Sequence, residues 1–99
     1  MTMEQDFLDE LIAEQTERNP DFPRLMAEMI ERLERRHTLM LSRKAARVSQ
    51  ATIATHMGVA RSVVSGLETG DVQVTNEILD RYAAALQQAR TQQGLRVTS

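Results

Sequence analysis

The chain has 99 residues, a formal net charge of −2 from 14 Asp and Glu against 12 Lys and Arg, and no cysteine. This length suits one domain with an arm and a modest core, and the missing thiols exclude disulfides and thiolate metal sites, as fits a reducing cytosol. No apolar run approaches a membrane span and the acidic start MTMEQDFLDE is unlike a signal peptide, so the expectation is a cytoplasmic protein with no membrane partner.

The charge is partitioned along the chain. Residues 1–34 hold ten acidic side chains against three basic, residues 35–70 hold six basic against Glu68 alone, and residues 71–99 balance. A protein that meets a polyanion needs positive charge only where it touches, so the middle third is the candidate nucleic-acid surface. The acidic third suits a basic protein partner.

The first predicted element is an amphipathic helix over Asp6 to Gln15, with Phe7, Leu8, Leu11 and Ile12 on one face. Asn19-Pro20-Asp21-Phe22-Pro23 interrupts it, because proline disfavours helix in the residue before it and suits a first turn. A long helix then starts near Pro23. Phe22, Leu25, Met26, Met29, Ile30 and Leu33 form its stripe, with Met40 and Leu41 further on. Arg24/Glu28, Glu28/Arg32 and Glu31/Arg35 fall at i, i+4 outside it. Unbroken to Ala46, it is about 35 Å long. A compact domain of about 55 residues leaves the first half of such a helix uncovered, so that half needs another partner.

Ser49 is a good N-cap for the next helix, on which Ile53, Ala54 and Met57 share a face, and Gly58 fits a left-handed C-cap. Val64 and Leu67 supply the buried stripe of a second short helix, which Gly70 ends. Two amphipathic helices joined by a glycine turn make a helix-turn-helix, whose second helix lies in the DNA major groove. Thr75 caps a last helix through Ile78, Leu79, Tyr82, Ala83 and Leu86. Residues 87–93 continue it or fray, and 91–99 read as a flexible tail or short strand.

The pattern Ser49-Gln50, Ala54, Gly58, Val64-Ser65, Leu67-Glu68 and Gly70 resembles the Cro/phage-repressor (XRE) helix-turn-helix family, with flanking helices extending the likeness to roughly 36–88. The resemblance implies an all-α fold: a five-helix repressor-type helix-turn-helix domain with an N-terminal amphipathic helical arm. The expected divisions are an acidic arm over 1–22, a DNA-binding domain with an extended first helix over 23–90, and the tail. It also implies that Gln50 contacts the DNA backbone and braces the second helix, and that Arg43 and Glu68 form a pair linking the first helix to the end of the second.

Position in the motif gives the other roles. Arg61 and Ser62 open the second helix, the end that reaches base edges, and Ser65 follows one turn on. Arginine there makes a bidentate contact with guanine O6 and N7, worth about 1–3 kcal/mol of discrimination. Val63 faces either a thymine methyl or the core. Gln50, at the positive end of its helix dipole, is a phosphate candidate, as are Arg43, Lys44, Arg47 and Thr69.

Three positions depart from the family pattern. Arg47 stands where glycine usually ends the first helix, so that corner is expected to close differently. Ala60 replaces the usual Ser or Thr cap, at a cost of about 0.5–2 kcal/mol. Gly66 replaces a long polar side chain on the reading face and costs about 1 kcal/mol relative to alanine.

No Ser/His/Asp set, phosphate loop or paired carboxylates appear, so no enzymatic activity, cofactor or metal is expected. His37 and His56 have no carboxylate at ligand spacing, and Met26, Met29, Met40 and Met57 fit apolar stripes. The acidic arm, the ERNPDFPRL segment and the charged helix after it resemble HigA-type antitoxins. That resemblance implies a small basic RelE-like toxin partner, with Phe7, Leu8, Leu11 and Ile12 on its apolar surface, and a homodimer that represses its own operon at a palindromic operator. Two other readings stay open: a phage- or plasmid-type repressor whose arm only dimerises, and a protein-binding adaptor on the same fold.

Overall fold

The computed structural model describes the backbone of residues 3–98 and the side chains of residues 9–94. Five helices account for it: α1 Met3–Arg18, α2 Phe22–Ala45, α3 Gln50–Met57, α4 Arg61–Thr69 and α5 Asn76–Thr98. No strand occurs among the described residues, and the fold is all-α. The chain divides into two compact units, Met1–Glu31 and Arg32–Ser99, with the division inside α2.

In the first unit, α1 outruns the stripe over Asp6 to Gln15 at both ends. The Asn19 side chain accepts from the Asp21 N–H at 3.0 Å and its carbonyl from the Phe22 N–H at 2.9 Å. That turn ends one helix and starts the next. Pro23 then lies in the first turn of α2, where a missing N–H costs nothing. Leu11 is 40% exposed and Ile12 is half-buried, whereas the side chains of Phe7 and Leu8 lie outside the described residues. Leu25, Met29 and Ile30 are exposed as well. Of the expected ion pairs, Arg24–Glu28 forms at 3.3 Å, while Arg35 turns to Asp80 of α5 at 2.7 Å.

The second unit holds the core. Ile53, Ala54 and Met57 of α3 meet Val64 and Leu67 of α4, together with Tyr82, Ala85, Leu86 and Ala89 of α5 and Val48. Local chemistry sets the helix ends. Ser49 Oγ accepts from the Thr52 N–H at 3.0 Å, and Thr75 Oγ1 from the Ile78 N–H at 3.2 Å. Gly58 takes φ +70°, so that its own N–H and that of Val59 return to the carbonyls of Thr55 and Ala54. The Arg81 guanidinium donates to the Met57 carbonyl at 2.7 Å, placing a cation at the C-terminal end of α3.

Two expectations are corrected. The corner after α2 closes as glycine would close it: Arg47 adopts φ +59°, and the N–H groups of Arg47 and Val48 bond to the carbonyls of Lys44 and Arg43. A side chain in the left-handed region costs about 1–2 kcal/mol. Arg47→Gly is therefore expected to stabilise the protein by about 0.5–1 kcal/mol, once glycine's extra unfolded-state entropy is subtracted. Urea unfolding checks this, and a destabilised variant contradicts it. The second correction concerns residues 91–99, where α5 continues as helix to Thr98. Gln, Ala, Arg and Leu around Gly94 are good helix formers, and no proline or cap intervenes to stop it.

Candidate nucleic-acid interface

Helices α3 and α4 are joined by the Gly58 turn, and α3 packs on both α4 and α5. The α4 N-terminus is set by backbone alone: Ala60 is extended, with φ −73° and ψ 150°, and supplies no side-chain cap. Arg61 and Ser62 are exposed at that end, and Ser65 is half-exposed one turn later. Val63 is half-buried and packs on the core, so part of its surface goes to packing.

The far end of α4 is held by one carboxylate. Glu68 Oε2 accepts from Arg43 Nε at 2.7 Å and from the Tyr82 hydroxyl at 2.7 Å. Its Oε1 accepts from Arg43 Nη2 at 2.8 Å and from Gln50 Nε2 at 3.0 Å. The Glu68 side chain is 5% exposed and that of Arg43 is 9% exposed. Arg43 Nη1 donates to the Val48 carbonyl at 2.8 Å, so every nitrogen of this guanidinium bonds within the protein. All four helices of the second unit thus converge on Glu68.

Charge follows from that arrangement. Burial opposes ionisation of Glu68, but the hydrogen bonds from Arg43, Tyr82 and Gln50 and the Arg43 charge outweigh it, holding the carboxyl below its ordinary value. The bond to Glu68 raises Arg43 against the opposing effect of burial. Burial, then the adjacent carboxylate, pushes the Tyr82 phenol well up, so it stays a donor. A buried ion pair is weak evidence of stability, but with four donors on one acceptor this one fixes the direction of α4.

The other sequence-derived candidates separate. Lys44 and Arg47 are exposed at the end of α2 and in its corner, and Gln50 is half-buried against Glu68. The Thr69 hydroxyl lies 3.1 Å from the Ser65 carbonyl and 3.0 Å from an Asp71 carboxylate oxygen, beside a negative charge. Gly66 corrects an expectation: it is buried and offers no reading position. A Cβ there would come within 2.4 Å of Val72 Cγ2, and the Gly66 carbonyl accepts from the N–H groups of Gly70 and Val72. The chain after α4 folds back over this notch, which only glycine leaves open.

Two side-chain contacts were not foreseen, Tyr82 with Glu68 and Arg81 with the Met57 carbonyl. Tyr82 reads as an apolar stripe residue, and a buried tyrosine's need for a hydroxyl partner is the signal that points to a polar neighbour. Among the described residues no group of His, Asp or Glu is arranged to hold a metal, and no helix is long and apolar enough to cross a membrane.

Neither the curated proteins nor the solved structures give a match to this chain. The helix-turn-helix domain family matches residues 36–94, from the second half of α2 to Gly94 and more than half of the chain. With the αL turn at Gly58, the exposed start of α4 and the Arg43–Glu68 pair all inside the matched stretch, the chain belongs to the helix-turn-helix domain family, of the Cro/phage-repressor (XRE) kind.

Proposed function

We propose that this protein is a sequence-specific DNA-binding transcriptional repressor that acts as a homodimer on a palindromic operator. The observation that carries this reading is the pairing of an exposed Arg61-Ser62 start with a C-terminal end fixed through Glu68, so that α4 presents its polar end at a set angle. The basic charge of residues 35–70 supports it. Arg61, Ser62 and Ser65 read bases, while Lys44, Arg47 and the α3 N-terminus at Gln50 meet phosphates. We assign Arg43 to holding Glu68, given its burial, and leave Thr69 out because of Asp71.

Magnitude favours a dimer. Two or three base contacts at about 1–3 kcal/mol each sum to about 2–9 kcal/mol, and the lower half of that span falls short of the roughly 4–10 kcal/mol that separates specific from non-specific binding. A second half-site brings the total into range. Arg61→Ala is expected to lose about 1–3 kcal/mol of preference at one base pair per half-site and to keep non-specific affinity. Selection from a randomised duplex library reads this directly; an unchanged consensus sinks Arg61 as a base reader.

The first unit supports a protein partner in addition. Its excess of acidic residues surrounds Leu11, Leu25, Met29 and Ile30, all exposed. We take it as the part that holds a small basic toxin, which makes the protein an antitoxin as well as a repressor. Met29→Glu with Ile30→Glu, in the full chain, is expected to abolish a complex with a small basic protein encoded beside it and to leave DNA binding intact. A complex that survives both substitutions overturns this part of the reading.

A further inference from the structure

We propose that Arg36 is a DNA-phosphate contact that serves the C-terminal end of the recognition helix, an assignment that rests on the DNA-binding reading of α4. Three α2 arginines lie in the nine residues 35–43, and two are matched: Arg35 with Asp80 and Arg43 with Glu68. Arg36 has no acidic partner among the described residues. Its Nε is buried with no hydrogen-bond acceptor, and its Nη1 lies so close over Gly70 that a Cβ there would be 2.6 Å away. The adjacent Asp71 leaves it alone and engages the Thr69 hydroxyl. An arginine seated in a glycine notch, half-buried and without a counter-ion, is a cation held in place for something outside the protein.

The location says what that is. A nine-residue helix is about 13.5 Å long, more than the major groove's depth of about 8.5 Å. With Arg61 on base edges, the other end of α4 comes up to the sugar-phosphate rim. That end carries about half a negative charge from the helix dipole, and Asp71 adds a full one. A phosphate approaching there is repelled unless a cation stands between. Arg36 stands over Gly70, the residue that caps this end of α4. A planar guanidinium suits a phosphate oxygen pair.

The test uses the full chain, with Arg36→Gln and Arg36→Lys, and two duplexes: one carrying the sequence selected by wild type and one scrambled. Arg36→Gln is expected to weaken binding to both by about five- to tenfold near 0.1 M salt, with the slope of log affinity against log salt falling by about one and the ratio between duplexes unchanged. Arg36→Lys is expected to keep the wild-type slope. Equal affinity and slope for wild type and Arg36→Gln overturn the proposal and reduce Arg36 to a cap on α4. Failure of wild type to bind any duplex is a different result, which removes the DNA-binding reading and Arg36 with it.

Discussion

Glu68→Ala is expected to destabilise the protein by about 3–5 kcal/mol, because it leaves the buried Arg43 guanidinium with no counter-ion and the Tyr82 hydroxyl and Gln50 amide without their acceptor. Small domains have about 5–15 kcal/mol in total, so much of this variant's margin goes. Glu68→Gln is the gentler comparison and carries the pH test. The Glu68 carboxyl is held below its ordinary value of 4.5 in the folded protein. Its stabilisation is therefore complete above the unfolded-state value and is lost as pH falls through the lower, folded-state one. The gap between wild type and Glu68→Gln in urea unfolding is expected to be widest near neutral pH and to shrink on acidification below about pH 4.5. A gap that stays constant into acid contradicts the charged hub.

The second large effect is expected at Gly66. On helix propensity alone, Gly66→Ala gains about 1 kcal/mol. The Val72 Cγ2 methyl occupies the space a Cβ needs, so the substitution is expected to cost about 1–3 kcal/mol instead, as overpacking does. Val72→Ala with Gly66→Ala restores most of that loss, and the double-mutant cycle measures the coupling. A stabilised Gly66→Ala protein refutes the notch.

Much of the helix-turn-helix was legible because its boundaries are written in local chemistry. Ser49, Gly58, Gly70 and Thr75 each act within a few residues of their own position, and each does what its side chain or missing Cβ dictates. The buried stripe of Ile53, Ala54, Met57, Val64 and Leu67 follows from helical period alone. What the sequence hid is non-local. Tyr82 reaches Glu68 from 14 residues away, a spacing that marks no pair, and Gln50's brace on α4 was expected only from the family resemblance, without Glu68 as its partner. Gly66 looked like a gap on an exposed face because Val72 returns over it only once the chain has turned at Gly70. Arg47 showed its anomaly but not the outcome, since a side chain at φ +59° and a rearranged corner are both ways to accommodate a missing glycine. The end of α5 was open because Gln-rich sequence neither caps nor breaks a helix.

The central claim is that α4, fixed by the Glu68 hub, reads DNA. Its most direct test is anisotropy of labelled duplex taken from immediately upstream of the protein's own coding region, against a scrambled duplex of the same composition, at about 50 and 200 mM salt. The account predicts tighter binding to the native duplex at both concentrations, with affinity for each falling steeply as salt rises. Equal and weak binding to both duplexes would contradict it and leave a protein-binding module on a helix-turn-helix fold.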